Sequence, residues 1–190
     1  MDSIEQLPQL EALCERLYNA QDPSERKHAE NVLLVFSSSS EYAPQCKAIL
    51  DNSSSPYAQM LASSSMLKIV TDHGGSKALL LDIRNYVLSY LANRGPNCQV
   101  FVITSLIQLL ARTTKLGWFE DDQHRGIVDD TKKFLGMNSL DHYLLGLRIL
   151  NQLVDFDNTV FQNPTAEIRP AGGFLPESTG KNPPASSKSS

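Results

Sequence analysis

The feature that most constrains this chain is a helix-start signal that returns four times, each time opening a second helix shortly after a first. The four are Asp22-Pro23-Ser24-Glu25, Ser55-Pro56, Gly95-Pro96-Asn97 and Ser139-Leu140-Asp141. Proline fits the first turn of a helix, where its missing N–H would find no partner, and a preceding Asp or Ser supplies the capping oxygen. Counted from Pro23, Pro56, Pro96 and Leu140, the spacings are 33, 40 and 44 residues. Armadillo, HEAT and related α-repeats fall in this range. The pattern predicts an all-α chain, a right-handed α-solenoid of about four HEAT/armadillo-like helical pairs. Such a stack works by surface and shape rather than by a catalytic pocket.

Hydrophobic periodicity fills in the pairs. Ile4, Leu7, Leu10, Leu13, Cys14, Leu17 and Tyr18 form one apolar stripe at three- and four-residue steps, the pattern of an outer helix. Asp22 then caps a helix with Pro23 at its first position and Glu25 reaching back, with Ala29, Val32, Leu33 and Phe36 inside. A short helix over Pro44 to Leu50 is followed by a more apolar partner from Pro56. The third pair runs from Leu79 to Leu91, stops at Gly95 and resumes from Pro96 to Lys115. The fourth runs from Asp122 to Leu135, stops at Gly136 and resumes from Ser139 to Val154, with Leu144, Leu147, Leu150 and Leu153 inside. Trp118 and Phe119 are expected to plug the gap between the third and fourth pairs. No β alternation appears.

The repeat domain is expected to span residues 1–156. From Asp157 onward, Pro164, Pro170, Pro176, Pro183 and Pro184 join glycines and a serine-rich end, so 157–190 reads as a disordered Pro/Ser-rich tail. With no polar capping repeat after the fourth, the face of Leu144 to Val154 expects a neighbour.

A net charge of −4 argues against a nucleic-acid binder that relies on clustered Lys and Arg. The start Met1-Asp2-Ser3-Ile4-Glu5 has neither a basic n-region nor a long apolar run, so it directs no export. Val100 to Ala111 is too short to span a bilayer and reads as a buried helix. Cys14, Cys46 and Cys98 lie far apart among apolar helical positions, as reduced core residues of a cytosolic or nuclear protein do. Gly74-Gly75-Ser76-Lys77 lacks the glycine spacing of a phosphate loop, and His28, His73, His124 and His142 lack zinc-ligand spacing. No serine sits in a nucleophile elbow. The residues therefore point to no enzyme activity, no cofactor and no metal.

Aligning the second helices by their start signals gives a candidate partner-binding strip: Asn31, Ser64, Lys68, Thr104, Gln108, Arg112, Arg148 and Gln152. An offset of 40 places Thr104 beside Ser64, and an offset of 44 places it beside Arg148. Equivalent positions stack side by side in a solenoid, so the strip is either a continuous concave binding surface or the ordinary solvated face of several helices.

Two groups of residues resemble a known family. Ala29-Glu30-Asn31-Val32-Leu33-Leu34-Val35-Phe36, then Ser55-Pro56-Tyr57, Ala62 and Leu67-Lys68, resemble the amino-terminal domain of the importin-β superfamily of nuclear transport receptors. Asp82-Ile83-Arg84-Asn85-Tyr86-Val87-Leu88-Ser89-Tyr90-Leu91-Ala92, Leu106-Ile107-Gln108-Leu109 and Thr114-Lys115-Leu116-Gly117-Trp118-Phe119 resemble its exportin branch. The resemblance covers residues 1 to about 156 and implies inner helices that contact the GTPase Ran in its GTP form. It also implies protein cargo, nucleoporin partners and shuttling between nucleus and cytoplasm in a full-length receptor. Family members continue through many more repeats, so the chain is expected to be a truncated form. The rival reading is a scaffold that no longer supports transport.

Overall fold

The computed structural model describes residues 7–162, and their side chains as far as 155. The described residues are helical and contain no strand. The helices are α1 (Leu7–Asn19), α2 (Pro23–Leu33), α3 (Ala43–Asn52), α4 (Pro56–Asp72), α5 (Lys77–Arg94), α6 (Val100–Gly117), α7 (Asp122–Arg125), α8 (Ile127–Leu135) and α9 (Leu140–Gln162). Short 3-10 turns at Leu34–Ser37, Ser40–Tyr42 and Gly95–Asn97 join some of them. Helix α9 continues through residue 162, so the first residues expected in the tail are helical. The rest of that expected tail lies outside the described residues.

Local chemistry sets most of the boundaries. Asp22 accepts the Ser24 backbone N–H at 2.9 Å and the Ser24 hydroxyl at 2.8 Å, with Pro23 opening α2. The expected return bond from Glu25 to the Asp22 N–H is not made among the described residues. The third pair departs from expectation at Pro96. Gly95–Asn97 closes on itself, with the Cys98 N–H donating to the Gly95 carbonyl at 3.0 Å. Helix α6 therefore starts four residues later than Pro96, with Gln99 as its N-cap. The expected helix from Asp122 to Leu135 is also broken, at Gly126, into α7 and α8.

Four hairpins result: α1 with α2, α3 with α4, α5 with α6, and α8 with α9. One core runs through them, formed by Leu50, Met66, Ile83, Val87, Leu91, Leu106, Leu109, Leu110 and Ile149 among others. Helix α6 is its spine, packed by α4, α5 and α9, with Val102, Leu106, Leu109 and Leu110 fully buried. Its length and apolarity would suit a membrane span, but its burial is that of a core helix.

Helices α4, α6 and α9 form an inner row in direct helix-to-helix contact. The outer row of α3, α5 and α8 is bridged instead by long polar side chains. Lys47 of α3 pairs with Asp82 of α5, and the Tyr86 hydroxyl donates to Asp51 at 2.9 Å. The Tyr90 hydroxyl donates to the Leu50 carbonyl at 3.3 Å. Arg84 of α5, almost wholly buried, donates to Asp130 of α8 at 2.6 Å. Burial alone would raise the Asp130 pKa, but hydrogen bonds from Lys133 and Arg84 outweigh it and hold the carboxyl below its usual range.

Two packing expectations fail. Trp118 and Phe119 do not plug the gap beside the fourth pair: Phe119 is 90% exposed and Trp118 lies at the surface. His124 fills that place, its ring pressed so closely on α6 that a Cβ at Gly117 would lie 2.3 Å away. In α9 the inward residues are Leu145 and Ile149, with Gly146 against Leu135 and Phe134. Leu144 and Leu147, expected inside, are 45% and 42% exposed, while Leu150 and Leu153 are half-buried. The helix carries apolar residues around most of its circumference, and α8 engages the side opposite to the one expected.

Candidate partner-binding face

The inner row presents one face to solvent, and aromatic stacking fixes its register. Tyr57 in the first turn of α4 stacks on Phe101 in the first turn of α6, with ring centroids 6.2 Å apart and planes inclined by 19°. Since both rings open their helices, α4 and α6 run side by side in the same direction. Neighbouring positions are thus 44 residues apart, not 40. The four-residue delay at Pro96 accounts for the difference. Counted from these two rings, Gln108 corresponds to Ser64 and Arg112 to Lys68, one turn from the alignment expected from the start signals.

On the other side of Tyr57, Tyr18 of α1 stacks at 5.1 Å, and the Tyr57 hydroxyl donates to Asn19 at 3.2 Å. Helix α1, rather than α2, is the principal neighbour of α4 at this end. Asn31 is exposed on α2, away from the row formed by α4, α6 and α9.

The other proposed residues differ in how they are held. Thr104 and Gln108 are exposed on α6, and Arg112 is half-buried. The Thr104 hydroxyl donates to the Val100 carbonyl at 2.9 Å, and the half-buried Ser64 hydroxyl to the Leu61 carbonyl at 3.1 Å. Both hydroxyls are committed to their own helices, which leaves their lone pairs as acceptors. Lys68 pairs with Asp72 one turn on, and that hydrogen bond is the main reason the Asp72 pKa lies below its ordinary value. Part of the Lys68 charge is therefore matched within the helix.

Thr104, Arg148 and Gln152 come together around one open groove between α6 and α9, of about 710 Å³. Its walls are Val100 and Ile107 from α6, with Leu144, Leu147, Leu150 and Val154 from α9. Two of the floor residues, Leu144 and Leu147, are leucines expected inside the fourth pair. The groove offers no converging acid, base or nucleophile. Elsewhere, burial pushes the Cys14 and Cys46 thiols up to about 12, so both are protonated core residues.

No family model matches the chain. Among curated proteins it is 42% identical over 160 residues to Ran-binding protein 16 of Drosophila melanogaster. It is 41% identical over 160 residues to Exportin-7-A of Xenopus laevis. To Ran-binding protein 17 of Mus musculus it is 39% identical over 172 residues. These matches cover 81–87% of the chain and 14–16% of each relative, so the chain spans about one seventh of their length. Over that span it is a homologue of exportin-7 and Ran-binding proteins 16 and 17, matching their amino-terminal, exportin-like portion.

Proposed function

We propose that this chain is the amino-terminal, Ran-recognising part of an exportin-like nuclear transport receptor, built as a right-handed stack of HEAT-like pairs and acting by binding alone. The observation that carries this reading is the row of α4, α6 and α9, whose solvent face brings Ser64, Lys68, Thr104, Gln108, Arg112, Arg148 and Gln152 onto three adjacent helices. Close contact along the inner row and long-side-chain bridges along the outer row favour a stack that bends toward the inner face. A curved polar row can engage a folded partner over several helices at once. The names of these relatives, Ran-binding protein and exportin, support Ran as that partner. In a full-length receptor, protein cargo and nucleoporins would engage further repeats as it shuttles between cytoplasm and nucleus.

The affinity of this segment is expected to be weak, since a stable interface buries about 1,200–2,000 Å² and only part of the receptor surface is present. Titration against Ran loaded with a non-hydrolysable GTP analogue, beside Ran with GDP, tests the reading. Binding that favours the GTP state is expected. Equal affinity for the two states, or none for either, would overturn it.

A further inference from the structure

Helix α9 carries a second pattern on its outward side. Leu140, Leu144, Leu147, Asn151 and Val154 recur at steps of four and three, the spacing of a coiled-coil seam. All five are exposed, with Leu140 at 72% and Val154 at 62%. They lie opposite the buried side of the helix, marked by Leu145 and Ile149. The seam is therefore additional to the contacts that hold α9 in the fold. Asp141 and Arg148, two turns apart, flank it on the side toward α6 and form no ion pair among the described residues. Tyr143 and Leu150 flank it on the other side.

We propose that the α9 seam binds the same seam of a second copy of this chain in antiparallel, two-fold fashion. The charges select both the orientation and the register. A two-fold axis perpendicular to the helices brings like flanks together, and setting Leu144 against Leu147 of the second copy places Asp141 opposite its Arg148 twice over. The opposite flank then joins Tyr143 to Leu150 of the second copy, also twice. Sliding by one heptad would set Arg148 against Arg148, so that register suffers like-charge repulsion. A parallel pairing would bring Asp141 and Arg148 near no opposite charge. The pairing covers Arg148, so a second copy and a partner seated across α6 and α9 exclude each other.

Sedimentation equilibrium of the full 190-residue chain over a concentration series tests this without any GTPase, so it fails or stands separately from the Ran reading. The expected result is a monomer–dimer equilibrium. Asp141→Arg and Arg148→Asp should each weaken dimerisation by about tenfold, because each sets like charges opposite one another. The double variant should recover it, and the two single variants mixed together should form a heterodimer. Circular dichroism of each variant should match the wild type, since both residues are exposed. A monomer at the highest concentration would overturn the proposal. So would a dimer insensitive to Leu147→Glu, or one that the charge exchanges leave unchanged, which is the outcome for a parallel pair or for a different surface.

Discussion

At Gly117 a Cβ would lie 2.3 Å from the ring of His124, which is wholly buried, so the ring or the helices around it must shift. Overpacking of this kind costs about 1–3 kcal/mol, against about 1 kcal/mol that alanine gains over glycine in a helix interior. Gly117→Ala should therefore lower the urea midpoint. His124 is wholly buried with neither ring nitrogen bonded, and burial first, then the Arg84 charge, pulls its pKa below the ordinary 6.5, with Asp121 opposing. Below pH 6.5 the unfolded chain takes up a proton that the folded chain refuses. The stability this residue confers is thus complete above 6.5 and declines as pH falls toward the folded pKa. Urea midpoints at pH 7.5 and 5.5 should differ in the wild type and differ less in His124→Leu; an unchanged difference would remove His124 as the cause.

At the scale of the element, α9 separates what periodicity can reveal from what it cannot. Repeating start signals, stripes and glycine stops located the paired helices, because capping and amphipathicity are local. The phase of α9 was not local: Leu144, Leu145, Leu147, Ile149 and Leu150 supply two apolar stripes, and only the position of α8 decides which is inside. Pro96 misled for a related reason, since a proline opens a 3-10 turn as readily as an α-helix, and the register of the polar row shifted by one turn. Trp118 and Phe119 read as core by hydrophobicity alone, whereas their turn is fixed by the Arg125 guanidinium donating to the Trp118 carbonyl at 2.8 Å. The assignment of α9 has a direct check in dilute protein, where Ile149→Ala should cost about 2–5 kcal/mol and Leu147→Ala under about 1. Equal losses in thermal or urea unfolding would contradict the observed phase.

For the whole molecule, the central claim is that the α4–α6–α9 face meets the GTP form of a folded GTPase. Each exposed charge there contributes only about 0.2–1 kcal/mol, so single neutral substitutions are poor probes. Reversing charge on all three helices places repulsion along the whole row. The most direct measurement is the affinity for Ran carrying a GTP analogue of a chain bearing Lys68→Glu, Arg112→Glu and Arg148→Glu, with unchanged helicity by circular dichroism as the folding control. A second chain with exposed Glu25 and Glu41, away from the row, changed to lysine serves as the comparison. The account predicts a loss of at least about tenfold for the first chain and almost none for the second. Equal affinities in the two chains would contradict it.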